Sequence, residues 1–238
     1  MPIFPPPRAM FFDAGNTLLR ISYAAIVAEL ATHGVRVTEA IVQRAEWRAR
    51  VRLDGELFGG RPVSTETPAT ADRYLELVLD GAGVTDAPTV DAMTAWRRGY
   101  NRPVGIFHVL EPAAPAALAA ARAGGLVTGV ISNSNGTIAA LLESLGLLPG
   151  LDFVLDSAVV GVEKPDPRIF RMALERAGVG PSEAVFVGDL YSIDVLGARA
   201  AGLSAILLDP GSCWGARDCP TAPDVAAAVD LALDRPRA

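Results

Sequence analysis

Two hydrophobic rhythms alternate along this chain. Short apolar runs at residues 9–13 (Ala-Met-Phe-Phe-Asp), 126–131, 153–155, 184–187 and 205–208 lack polar alternation and read as strands buried on both faces. Stretches with helical spacing separate them at 112–123, 136–145, 167–177 and 192–201. Gly146, Gly178 and Gly202 stand just past the last three as helix stops. Asp166-Pro167 offers an N-cap followed by proline at the first helical position. The alternation predicts an α/β fold, a Rossmann-like core whose parallel sheet is covered by helices on both faces.

Between residues 20 and 105 the strand rhythm stops. Helical periodicity takes over near 22–33, 38–53, 69–81 and 88–100, with Ser22 and Thr38 as N-caps. Asp54–Pro68 is rich in turn residues and reads as a loop. The pattern is that of a helical module inserted after the first strand, with junctions near Leu19–Ser22 and Asn101–Phe107. The expected division is therefore a core of residues 1–20 and 104–238 and a helical cap of residues 21–103. From about Ala222 the chain reads as a terminal helix ending in Arg-Pro-Arg-Ala.

Composition narrows the partners. The 238 residues carry a net charge of −6, so no broad cationic surface is available for nucleic acid or an anionic membrane. Two cysteines, Cys213 and Cys219, cannot build a disulfide framework, and His33 and His108 are too few for a usual zinc site. Any metal is then expected to have oxygen ligands. The start, Met1–Arg8, lacks the layout of a signal peptide, and Arg122 with paired glycines interrupts the Ala-rich segment 113–131. A soluble, cytoplasmic protein is the expectation. Of 21 basic residues only Lys164 is a lysine, which raises the question of whether that position needs a compact ammonium rather than a planar guanidinium.

Ligands of parallel sheets sit beyond the carboxyl ends of the strands. At those ends stand Asp13, Ser132-Asn133, Lys164, Gly188-Asp189 and, five residues on, Asp194. Taken singly each has a bland reading, as a cap, a turn residue or first-turn decoration of a helix. Three carboxylates, a hydroxyl and an ammonium at one edge go beyond it.

In this order the residues resemble the four motifs of the haloacid dehalogenase superfamily. Phe11-Phe12-Asp13-Ala14-Gly15-Asn16-Thr17-Leu18 is similar to the first motif and Val130-Ile131-Ser132-Asn133 to the second. Lys164-Pro165-Asp166-Pro167 is similar to the third, and Val187-Gly188-Asp189 through Asp194 to the fourth. The insert resembles the cap of the subclass with a helical module between motifs one and two. The resemblance implies that Asp13 is a nucleophile attacking a phosphate monoester, with Ser132 and Lys164 as its catalytic partners. It implies that Asn133, Gly15 and Asn16 meet the substrate, a small phosphorylated metabolite. It also implies Mg²⁺ held by Asp13, the Gly15 carbonyl, Asp189 and Asp194.

One position departs from the family pattern. Phosphatases of the family carry a second Asp two residues after the nucleophile as general acid and base, and here that residue is Gly15. Three readings stay open. A phosphatase could take its proton transfer from the cap, where Glu56 and Glu66 are carboxylates on the turn-rich segment, or from the substrate. A 2-haloacid dehalogenase needs no such Asp, but the resemblance gives that class neither the metal nor the Gly-Asp pair kept at Gly188-Asp189. A weakly active or inactive protein could bind a phosphorylated ligand or a partner. A phosphonate-cleaving enzyme would need a cap lysine, and the cap has none. Arg44, Arg48, Arg50, Arg52 and Arg61 either form a solvated helix face or recognise an anionic substrate tail. Trp47 and Trp96 are expected in the cap core, His33 is expected to be structural, and nothing near the cysteines would activate them.

Overall fold

The computed structural model describes residues 6–59 and 63–234. The chain opens with strand β1 (Ala9–Phe12) and the short β2 (Leu19–Arg20). Helices α1 (Tyr23–Thr32), α2 (Glu39–Leu53), α3 (Pro68–Gly81) and α4 (Ala87–Gly99) follow, then the short β3 (Val109–Leu110). The remainder alternates: α5 (Ala114–Ala123), β4 (Val127–Ser132), α6 (Ile138–Ser144), β5 (Phe153–Asp156), α7 (Ser157–Val160) and α8 (Pro167–Ala177). It ends with β6 (Ala184–Gly188), α9 (Leu196–Ala200), β7 (Ser204–Leu208), β8 (Thr221–Ala222) and α10 (Val225–Ala232). Contacts divide the chain into two units, one of residues up to Arg20 and from Leu110 on, the other Ile21–Val109.

In the first unit six strands pair in the order β5-β4-β1-β6-β7-β8, all in parallel. From central β1 the chain runs outward through β4 and β5, then crosses to β6, β7 and β8. That reversal is where a ligand crevice opens in such sheets. Side chains alternate across the sheet. Met10, Phe12, Val130, Val185 and Val187 join α5, α6 and α10 in one cluster that includes Leu118, Leu142 and Val229. On β1, Phe11 points to the opposite face and lies 5.6 Å from Phe153, while Phe170 of α8 meets Phe186 edge-on at 5.1 Å. Gly129 is required there, because a Cβ on it would stand 2.4 Å from the Phe153 ring.

In the second unit the N-caps expected from sequence are formed: Ser22 accepts from the Ala25 amide and Thr38 from that of Ile41. The apolar interior includes Ile26, Leu30, Val42, Ala49, Leu75, Val78 and Met93. A charged group lies inside it as well. Glu46, with no exposed surface, accepts hydrogen bonds from Tyr23 Oη (3.1 Å), Tyr74 Oη (2.7 Å) and both Nε and Nη2 of Arg50. Asp72, joining α3 to α4, takes Arg97 on one oxygen and Arg98 on the other. Burial works against its charge, yet the two guanidiniums hold its pKa below the usual carboxylate range.

Several expectations change. Asp54–Pro68 is not all loop: α2 runs on through a π-helical turn, Asp54–Phe58, whose Gly59 amide reaches the Asp54 carbonyl. Phe58 is buried there, and that burial outweighs the turn-forming composition. Trp47 and Trp96 are only half-buried, smaller side chains filling the interior, and Trp96 lies against Tyr100. Arg50 faces neither solvent nor a free surface, whereas Arg44 and Arg48 are exposed and Arg52 pairs with Asp80. Arg61 lies outside the described residues. The stretch at 192–201 opens as a π-helical turn, Tyr191–Val195, before α9. Beyond Cys213 and Cys219 the sheet gains β8, too short to leave an apolar run in the sequence. Among the described residues no helix is long and apolar enough to cross a membrane.

Removing the Glu46 carboxylate should show how the second unit depends on it. In Glu46→Ala, Tyr23, Tyr74 and Arg50 lose the buried carboxylate that joins them, and the variant should lose about 3–5 kcal/mol of stability in urea unfolding. A loss below about 1 kcal/mol would mean the pair is dispensable.

Candidate active site

Strand register brings the site together. Phe12 pairs with Val130 on one side and with Val187 on the other. The residues just beyond, Asp13, Ser132 and Asp189, therefore leave the sheet at one edge. The Asp13 amide continues the ladder by donating to the Val187 carbonyl at 2.8 Å.

Lys164 reaches the same edge from the turn before α8, which Asp166 caps with Pro167 at its first position. Its buried ammonium donates to Asp13 Oδ1 and, at 2.8 Å, to Asp194 Oδ1. The other Asp194 oxygen accepts the amides of Asp189 (3.0 Å) and Leu190 (2.9 Å), so this side chain folds back over its own loop. That fold needs Gly188, since a Cβ there would lie 2.4 Å from Asp194 Cγ. Asn16, at φ 53°, donates from Nδ2 to Asp189 Oδ2 at 3.1 Å. Ser132 is buried, its hydroxyl donating to the Asn133 carbonyl at 3.3 Å. Gly15 lies between Asp13 and Asn16, forms an isolated bridge with Leu19 and carries no titratable group.

The electrostatics follow from burial. Desolvation pushes the Asp13 pKa up to about 6, against the pull of Lys164 and with a further push from Asp194. Burial alone would lower the Lys164 pKa, but Asp13 and Asp194 outweigh it and hold it above the ordinary lysine range. Asp13, Asp189 and Asp194 each offer an oxygen within 4.8 Å of the others. Three carboxylates set this close, two of them bonded to Lys164, present hard oxygen donors that fit a divalent cation such as Mg²⁺.

Sequence reasoning did not find every contributor. The Asn133 side chain is turned to the backbone of Lys164, donating to its carbonyl at 2.9 Å and accepting from its amide at 2.7 Å. Asp156 and Ser157, at the end of β5, bind the backbone of the segment after Asn133. The available signal was a carboxylate ending an apolar run, the same pattern that marks Asp13. In the other unit, Glu56 is exposed and bonded to Arg73, and Glu66 is exposed. His33 caps α1 and pairs with Glu29 at 3.3 Å. Burial pushes the Cys219 thiol up, away from reactivity.

Known proteins identify the family and the fold. The model of a family described as haloacid dehalogenase-like hydrolase matches residues 7–202. Haloacid dehalogenase-like hydrolase domain-containing protein 3 of Mus musculus is 33% identical over 211 residues, covering 84% of this chain and 81% of that protein. A glyceraldehyde 3-phosphate phosphatase of Methanothermobacter thermautotrophicus is 30% identical over 213 residues, 89% of each. Bacillus subtilis YfnB, solved with magnesium bound, shares the fold at a TM-score of 0.63 and 16% identity, over 97% of this chain and 100% of that one.

A carboxylate whose folded pKa is raised favours folding at low pH, and that contribution is lost as pH rises through the folded value. For Asp13 the window runs from the ordinary carboxylate range up to about pH 6. With EDTA present at pH 7.5, Asp13→Asn should be more stable than the parent by roughly 1–3 kcal/mol in thermal melts. The difference should shrink as pH falls from 7 to 4. A less stable variant at pH 7.5 would show that Lys164 overcompensates the burial.

Proposed function

This chain belongs to the haloacid dehalogenase-like hydrolases, and from that membership we propose that it cleaves small phosphate monoesters through a phosphorylated Asp13. The observation that carries the reading is the Lys164 bridge, a buried ammonium bonded to both Asp13 and Asp194. Nucleophile and substrate are both anionic, so attack needs positive charge where they meet, and Lys164 supplies it. The phosphatase among the relatives supports a small phosphorylated metabolite as the substrate class.

In this reading an Asp13 oxygen attacks phosphorus. The new O–P bond forms as the ester O–P bond breaks, and the leaving oxygen keeps the bonding pair. Ser132 donates its hydroxyl to a phosphoryl oxygen, and Asn133, Gly15 and Asn16 border the bound group. Water then attacks the aspartyl phosphate at phosphorus, freeing inorganic phosphate and the Asp13 carboxylate. Mg²⁺, held by Asp13, Asp189, Asp194 and the Gly15 carbonyl, would supply further positive charge to the phosphoryl oxygens. Asp189 is oriented for that role by Asn16.

Gly15 leaves its position without a group to protonate the leaving oxygen or to deprotonate the water. Such a general acid and base typically contributes about 10²–10⁴-fold. Aryl phosphates, whose leaving groups need little protonation, should therefore be cleaved far faster than alkyl phosphates.

At high enzyme concentration an aryl phosphate should give a Mg²⁺-dependent burst of about one equivalent, then slow release. Asp13→Asn should lose the burst while keeping its circular dichroism spectrum. No burst and no turnover, with or without Mg²⁺, would overturn the phosphatase reading. Gly15→Asp should raise the rate on alkyl phosphates by about 10²-fold. An unchanged rate in a folded, metal-binding variant would show that proton transfer at this position does not limit turnover.

A further inference from the structure

The loops carrying Ser132 and Lys164 are tied to each other through one side chain. Asn133 donates from Nδ2 to the Lys164 carbonyl at 2.9 Å, and its Oδ1 accepts the Lys164 amide at 2.7 Å. Both polar groups at the root of the Lys164 side chain are thus fixed by a residue 31 positions away.

Asn133 in turn belongs to a braced segment. Ser157 Oγ accepts the Ser134 amide at 3.0 Å and donates to the Ser134 carbonyl at 3.2 Å. The buried Asp156 carboxylate accepts the amides of Gly136 (3.1 Å), Ile138 (3.4 Å) and Ala158 (3.0 Å). Register explains the reach, because Ser132 and Asp156 are partners at the ends of β4 and β5. The chain from Ser157 to Lys164 is therefore fastened at both ends to the segment Asn133–Ile138.

We infer that Asn133, braced by Asp156 and Ser157, is a positioning residue for Lys164. A lysine side chain has four rotatable carbon bonds, so where its ammonium rests depends first on where its backbone is held. The clamp fixes that backbone and lets one ammonium meet carboxylates from two other loops, Asp13 and Asp194. The Asn133 side chain acts through Lys164, apart from any contact with substrate. The consequence for rate rests on the phosphatase reading, whereas the placement of Lys164 does not.

A chain with a single lysine allows the test. Protein labelled with ¹³C,¹⁵N-lysine contains one lysine spin system, that of Lys164. In metal-free Asn133→Ala its amide should exchange at least tenfold faster than in the parent, and its side-chain signals should shift. Identical Lys164 signals and exchange in parent and variant overturn the proposal, whether or not the parent turns over. On an aryl phosphate, Asn133→Ala should lower kcat ten- to hundredfold in the parent background but less than threefold in Lys164→Ala. Equal losses in both backgrounds would make Asn133 an independent ligand and also overturn it. Should Asn133→Ala misfold, Asn133→Asp keeps the acceptor for the Lys164 amide and replaces the donor to its carbonyl with a charged oxygen. Its Lys164 amide exchange should fall between parent and full loss, and parent-like signals would count against the clamp.

Discussion

The Lys164 ammonium sits between the carboxylates of Asp13 and Asp194, and most of the first unit's local geometry serves that contact. Carboxylates taken out of water so close together are unfavourable unless a cation joins them. The raised pKa of Asp13 records how incompletely one ammonium offsets the burial. Gly188 leaves room for Asp194 to fold over the loop, two backbone amides hold one of its oxygens, and the other is left for Lys164. Parallel register on both sides of β1 then fixes Asp13 beside Ser132 and Asp189. The carboxylate oxygens gathered at this edge are donors of the kind that a divalent cation would join.

The helical unit meets the same cost by another route. Glu46 is neutralised by Arg50 on its own helix one turn later and by two tyrosine hydroxyls, so its partners are local or aromatic. Asp72 takes one guanidinium on each oxygen. Both carboxylates are fully engaged by fixed donors, which suits a structural role. Asp13, by contrast, is joined to an ammonium that also serves a second carboxylate.

Sequence made the sheet legible because its strands are short apolar runs ending in chemistry-bearing residues, and because caps such as Thr38 and Asp166 state where helices begin. The π-helical turns at Asp54–Phe58 and Tyr191–Val195 were not legible: the first lies in turn-rich composition, and the second carries ordinary helical spacing that does not set it apart from α9. Arg50 shows a different limit: grouped with Arg44, Arg48 and Arg52 it reads as part of a solvated face, but it stands two residues from Arg48 and Arg52, across the helix from them and one turn after the buried Glu46. The residue types at the sheet edge were readable one by one. The turn of the Asn133 side chain toward Lys164, and the brace from Asp156 and Ser157, depend on pairings between distant loops that leave no periodic trace.

Arginine is the rule in this chain and lysine the exception, and the ion pairs show what each cation does. Arg50 places Nε on one oxygen of Glu46 and Nη2 on the other. Arg168 and Arg98 each aim Nε and Nη2 at one oxygen of Asp166 and of Asp72. These are fork contacts, two parallel donors converging on one carboxylate, the geometry a planar guanidinium is built for. The sheet edge asks for something else, one positive centre bonded at the same time to single oxygens of two different acids. An ammonium can turn its three donors to do so, whereas a guanidinium holds its donors in one plane. It also lies 5.2 Å from the centre of the Phe186 ring, so an apolar face backs the charge on another side. Position 164 is therefore the place where the shape of the cation matters more than its charge, and the lone lysine of the sequence stands there.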